Sequence, residues 1–200
     1  MGILDTLLGR SKTVRPNLDH LFGLPGAQVT LEVTEGLLPT GQAGVCFKPA
    51  SGEGFVATEE ELRQMLSPEV SPAGDGASTE LAGETDEFGY RWVVIGAPEF
   101  SNLVTHVHYV NSTLEEHGYG SQLLCSVFGF AKKAPDGTPA PASIYLVYLY
   151  KRGAFYPFVP TGPERRDNEA ELRLKVELES DLVLEADLDR WFPLWKLPVH

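Results

Sequence analysis

Apolar side chains recur along this chain at two spacings, and the changes of spacing mark out its elements. Residues 1–10 place Ile3, Leu4, Leu7 and Leu8 on one helical face, ended by Gly9 and the polar run Arg10, Ser11, Lys12. Leu18, Leu21 and Phe22 predict a short helix that opens after Pro16 and stops at Gly23 and Pro25. Val29, Leu31 and Val33 then alternate with Gln28, Thr30 and Glu32, the period of a half-buried strand over residues 27–33. Residues 44–48 and 54–57 predict two more strands. Thr58 with Glu61 forms a capping box, in which the hydroxyl accepts from an early backbone N–H and the carboxylate reaches back to the cap. The helix it opens runs to about residue 66 and ends ahead of Pro68.

Residues 67–84 are rich in Ser, Pro, Gly, Ala and Glu and hold too little apolar surface to offset ordering entropy, so a mobile loop is expected there. Residues 90–95 read as a strongly apolar strand. Leu103, Val107, Val110 and Leu114 follow helical spacing after Pro98, and Gly118 suits a left-handed cap at the end of that helix. Residues 122–130 and 143–150 predict two long strands joined as an antiparallel hairpin through the turn-rich stretch 134–141. Lys151, Arg152 and Gly153 make the next turn, and residues 155–159 a third strand. Leu172, Leu174, Val176 and Leu178 alternate with charges as a strand would. The helix formers after Pro163 and the acidic first turn favour a helix over 165–178, which is the expectation adopted. Trp191, Phe192, Leu194 and Trp195 are expected to fold back onto the core, because an exposed aromatic cluster is sticky.

These elements predict one α+β domain over residues 1–200, an antiparallel sheet flanked by helices. An alternative organisation has two diverged halves, 1–66 and 98–180, each helix, three strands, helix, joined by the acidic 67–84 segment. Charge adds to this picture. The chain has 28 acidic and 16 basic residues, a net charge of −12, which disfavours a nucleic-acid partner because phosphate binding needs a neutralising basic surface. Within it, residues 59–90 carry nine acidic residues against Arg63 alone. Residues 143–166 reverse the sign, with Lys151, Arg152, Arg165 and Arg166 against Glu164. No apolar run is long enough to span a bilayer, the N-terminus lacks the pattern of a secretory signal, and two cysteines cannot build a disulfide framework. A soluble cytoplasmic protein is expected.

Candidate chemistry is sparse. His106 and His108, two apart on a helix, point to different sides and cannot chelate one ion. Cys46 and Cys125 sit among apolar neighbours and read as small buried hydrophobes, without the electropositive setting a nucleophilic thiol needs. His117 fits a helix C-terminus, where a partly charged imidazole suits the dipole. No nucleophile elbow, phosphate-cradling glycine loop or Cys-x-x-Cys is present. The myristoylation-like start and the acceptor-like Asn111, Ser112, Thr113 are short, permissive patterns with nothing to support them. The expectation is a protein with no catalytic residues, no metal and no cofactor.

One run combines aromatic density with the main basic cluster. Tyr150, Lys151, Arg152, Phe155 and Tyr156, followed by Arg165, Arg166, Asp167 and Asn168, are the partner-binding candidates, since aromatics and Arg dominate interface hot spots. The competing reading is a hairpin whose aromatics face the core and whose basic turn is solvated or paired with Asp167 or Glu169.

Several blocks of the chain resemble the PspA-associated PspAB family of bacterial phage-shock systems. They include residues 1–10, Val29 to Glu32, Val45 to Phe47, Val110 to Glu115, Leu123 to Cys125, Val147 to Gly153, Phe155 to Phe158, Arg166 to Asn168 and Arg190 to Pro193. The resemblance runs nearly end to end, leaves the 67–84 segment without a counterpart and brings no catalytic residues with it. It implies a cytoplasmic accessory or adaptor to a PspA-type coiled-coil protein that responds to membrane stress. The element order is also similar to type III secretion chaperones, a likeness of topology that carries little functional weight. The alternative is a peripheral protein of the inner membrane face, held by Ile3, Leu4, Leu7 and Leu8; few cations flank that segment and anionic lipid would repel the chain as a whole. An enzyme with an unrecognised carboxylate site is the remaining alternative.

Overall fold

The two apolar segments after residue 122 pair antiparallel, with Cys125 opposite Leu149 and Phe130 opposite Ile144, the hairpin expected from the turn-rich stretch between them. The computed structural model describes residues 16–49, 60, 78–81, 89–132 and 142–200. Within them the sheet extends on both sides of the hairpin. Its strands are β1 (Leu37–Phe47), β2 (Ser78–Leu81), β3 (Arg91–Gly96), β4 (Leu123–Lys132), β5 (Ile144–Leu149) and β6 (Ala154–Phe158). They lie in the order β2-β3-β1-β4-β5-β6, every neighbouring pair antiparallel. A short ribbon of β7 (Pro160–Gly162) and β8 (Arg165–Arg166) follows. The helices α1 (Leu24–Glu35), α2 (Phe100–Leu114) and α3 (Asn168–Leu178) accompany the strands, an α+β fold with an antiparallel sheet.

The strand expected over residues 27–33 is instead the middle of α1. Pro25 occupies its first turn, where a missing N–H costs nothing, and Gly36 (φ 63°) closes it in the left-handed conformation, donating to the carbonyls of Leu31 and Glu32. Leu24, Ala27 and Leu31 are buried at helical spacing, whereas Val29 and Val33 are 61% and 79% exposed. Their alternation with Leu31 therefore does not mark a face. Val and Thr cost up to about 0.7 kcal/mol each in a helix, while burying Leu24 and Leu31 contributes roughly 1.5–3 kcal/mol each. Burial decides.

The segment expected as a loop over 67–84 contains β2, which pairs β3 from Ser78 opposite Gly96 to Leu81 opposite Val93. An edge strand needs one neighbour and backbone hydrogen bonds, not apolar side chains, so composition understated it. The rest of 67–84 lies outside the described residues, as do residues 1–10, the strand expected at 54–57 and, apart from the helical Glu60, the helix expected to follow it. With residues 27–33 helical, the first half does not contain the first of the three strands counted in it. The short helix after Pro16 is a 3₁₀ turn, Leu18–Gly23, that runs on into α1. Gly118 adopts φ 84° in a π turn that closes α2, and His117 Nδ1 donates to Thr113 O at 2.7 Å.

The two faces of the sheet are covered by different means. On one, α1, α2 and α3 bury Leu31, Val107, Phe128, Leu146, Phe155 and Leu178 in a single core. On the other, no helix packs among the described residues; Trp92, Val127, Tyr145, Tyr156 and Phe158 are covered by the C-terminal tail. The tail leaves α3 and lies along β6, with Phe155 N–H donating to Val183 O and Glu185 N–H to Phe155 O, each at 2.8 Å. Trp191 then stacks on Tyr156 (5.9 Å between centroids), and Trp195 meets Phe158 edge-on (5.3 Å). Val199, fully buried, fills a notch over Gly44 and Gly129, where an added Cβ would lie 3.0 and 3.3 Å from its methyl groups. Only glycine leaves room for the tail there.

Candidate functional site

Between Trp191 and Val199 the tail and the sheet enclose a groove of about 740 Å³. The floor comes from four strands: Cys46 on β1, Trp92 on β3, Leu124 and Cys125 on β4, Leu149 on β5, with Tyr156 of β6 beside them. Phe192, Pro193, Leu194, Trp195 and Leu197 of the tail form the wall. Size and lining match a binding cleft, typically about 300–1,000 Å³ with apolar and aromatic walls.

Among the described residues, the four charged ones that line it are cations: Lys151, Arg152, Arg190 and Lys196. Arg152 Nε donates to Glu185 Oε2 at 2.7 Å, and Arg190 Nε to Asp187 Oδ2 at 3.1 Å. Burial pushes the Glu185 carboxyl up, but the Arg152 hydrogen bond, the Asp187 N–H and the nearby guanidinium charges outweigh it and hold the group below the usual carboxylate range. Lys151 is exposed at the rim, with no ion pair among the described residues. The Tyr156 hydroxyl, pushed up by burial, then by Cys125 and against the pull of Arg166, stays protonated and donates to Phe192 O at 2.7 Å. These shifts belong to groups that hold structure, not to a group poised to exchange a proton.

The partner-binding candidates are divided by the fold. Lys151, Arg152 and Tyr156 meet at the groove. Tyr150 and Phe155 are buried in the core on the helical face; burial and the hydrogen-bonded Glu115 push the Tyr150 hydroxyl up. Arg166 is internal: its Nε lies 2.9 Å from both oxygens of the buried Glu171, and Nη1 donates to Trp191 O at 2.6 Å. Asp167 caps α3 by accepting from Ala170 N–H at 3.0 Å, while Arg165 and Asn168 are exposed. Ile3, Leu4, Leu7 and Leu8 lie outside the described residues. His106 and His108 both lie on α2, where the His108 ring stands 4.9 Å from Phe22. Among the described residues no group of three or more His, Cys, Asp or Glu could hold a metal ion.

Sequence reasoning missed Trp92, the tail wall and the relation of the two cysteines. Cys46 and Cys125 are opposite one another on β1 and β4. The unbroken register of residues 43–46 against 125–128 sets them so, and a β-bulge follows directly, since Phe47 pairs Leu123. β4 advances two residues for one on β1, so both Leu124 and Cys125 face the groove. No local pattern in either strand signals that contact.

With fold and groove described, comparison with known proteins supplies the relationship. A family model described as PspA associated protein B matches residues 1–199. The chain belongs to the PspA-associated protein B family. The match spans the described elements and the segments between them, so the sheet, the tail and the groove all fall within the family region. No curated protein and no solved structure matches the chain. Membership in the PspA-associated family relates the protein to phage shock and to a PspA-related partner. No helix among the described residues is long and apolar enough to cross a membrane.

Proposed function

We propose that the protein is a non-enzymatic adaptor that docks a PspA-type coiled-coil protein, or its regulator, in the groove beneath the C-terminal tail. The observation that carries this reading is the combination of an apolar groove with four cationic lining residues on a chain of net charge −12. A partner segment with apolar residues flanked by carboxylates fits that lining, and opposite charge would guide its approach. The family's description gives the partner class. In this reading the protein works in the cytoplasm and reaches the inner face of the membrane through its partner.

Titration of the full-length protein against a PspA-family protein tests the proposal. Lys151→Glu with Phe192→Asp changes an exposed cation and a half-exposed wall residue, so the thermal melt should hold within about 0.5 kcal/mol per site. Affinity should fall by about tenfold or more, equivalent to about 1.4 kcal/mol. Unchanged affinity with an unchanged melt would remove the groove from the reading. No binding by the unmodified chain would remove the adaptor role itself.

A further inference from the structure

Directly opposed residues of an antiparallel pair have Cα atoms about 4.5–5.5 Å apart, inside the window of about 4.4–6.8 Å that a disulfide spans. Cys46 and Cys125 hold that relation, carry no disulfide, and lie 3% and 6% exposed on the same face of the sheet. Burial alone would make them inert, as structural cysteines are. Three features here oppose that. The thiols form the floor of a groove of about 740 Å³, wide enough to admit a small oxidant. The charged residues lining that groove are all cations, an electropositive surrounding of the kind reactive cysteines have. The bulge between Cys46 and Phe47 interrupts the ladder beside the pair, where strands bend most readily.

We infer that Cys46 and Cys125 are a modification site: a cross-strand dithiol oxidised by hydrogen peroxide to an intramolecular disulfide. One sulfur, as the thiolate, attacks one oxygen of the peroxide, breaks the O–O bond and becomes a sulfenic acid, and the departing hydroxide takes up one proton to leave as water. The second thiol attacks the sulfenic sulfur, the S–S bond forms, and the sulfenic oxygen leaves as a second water. Two thiols are oxidised and one peroxide is reduced. A bond here ties β1 to β4, the central strands, beneath the surface used in the adaptor reading. The inference itself needs only the groove and the register, and its test involves no partner.

The test uses the native full-length protein and hydrogen peroxide, followed by acid quenching, alkylation and intact-mass measurement. The expected product has lost two hydrogens, resists alkylation at both cysteines until reduced, and yields a proteolytic fragment joining Cys46 to Cys125. Cys46→Ser and Cys125→Ser should each lose this product and instead gain oxygen at the remaining thiol. If a serine variant fails to fold, the joined fragment from the unmodified chain still decides. Two alkylatable thiols after peroxide, a disulfide linking two chains, or a bond that forms only after unfolding would each overturn the inference.

Discussion

Arg166→Met should lower the thermal stability of this protein far more than an exposed position allows. The Arg166 guanidinium contacts both carboxylate oxygens of Glu171 at 2.9 Å through Nε, and its Nη2 lies 2.8 Å from Oε2. Nη1 holds Trp191 O at 2.6 Å, and the guanidinium carbon sits 5.2 Å above the Phe158 ring. Glu171 is 2% exposed, and its other bond within this arrangement comes from Val159 N–H at 2.9 Å. Removing the arginine leaves a buried carboxylate without its counter-ion, a change that costs about 3–5 kcal/mol. At about 2–4 °C per kcal/mol for a chain of this size, Tm should fall by about 6–20 °C. Were Arg166 an exposed recognition residue, the same change would cost under about 0.5 kcal/mol. Melts followed by circular dichroism and by tryptophan fluorescence measure the fall. They also show whether the tail, which loses the donor to Trp191 O, comes away before the sheet unfolds. Adding Glu171→Leu removes the stranded charge and should recover most of the loss, because an apolar pair of similar volume replaces a buried ion pair at little cost. A melt of Arg166→Met within about 2 °C of the parent, against the roughly 2–4 °C expected per kcal/mol, would refute this reasoning, as would a double variant no better than the single one.

Other consequences concern acid, the tail and lipid. The Glu185 carboxyl titrates below its ordinary value, so its contribution is complete above the unfolded value of about 4.3 and is lost as pH falls through the depressed one. Arg152→Met should therefore move the acid-unfolding midpoint upward; superimposable acid curves would exclude the pair as its source. Gly44→Ala places a methyl group 3.0 Å from Val199 and 3.1 Å from the Trp92 ring, so it should cost about 1–3 kcal/mol and speed amide exchange in residues 191–200. Exchange rates unchanged there would mean the tail is not seated by that notch. Liposomes of anionic lipid should sediment little of the full-length chain, given its net charge of −12. Strong sedimentation lost on deleting residues 1–10 would instead favour a membrane contact through Ile3, Leu4, Leu7 and Leu8.

Much of the fold was legible where a segment's own period and its punctuation agree. Residues 122–130 and 143–150 are long apolar runs separated by turn formers, so their pairing as β4 and β5 follows from local cues. α2 shows helical spacing with a glycine stop, and the Lys151-Arg152-Gly153 turn ends on a left-handed glycine at φ 60°. Where the cues conflict, as in α1, neighbours decide: Leu24, Ala27 and Leu31 gain a core only as a helix, and the alternating valines end in solvent. The fate of the basic run was likewise beyond sequence. Arg152 finds Glu185 and Arg166 finds Glu171 and the Trp191 carbonyl, partners that depend on where α3 and the tail come to rest. The groove belongs wholly to tertiary structure, because its floor gathers residues from four strands and its wall from a tail whose return to the core was expected but whose path was not. The facing of Cys46 and Cys125 is subtler still. Each segment alone predicts a buried small side chain, and only the register of β1 against β4 sets the second cysteine opposite the first on one face. Period and propensity act over a few residues and are written in the chain; register, burial and ion pairing depend on segments far apart in sequence, and only folding brings them together.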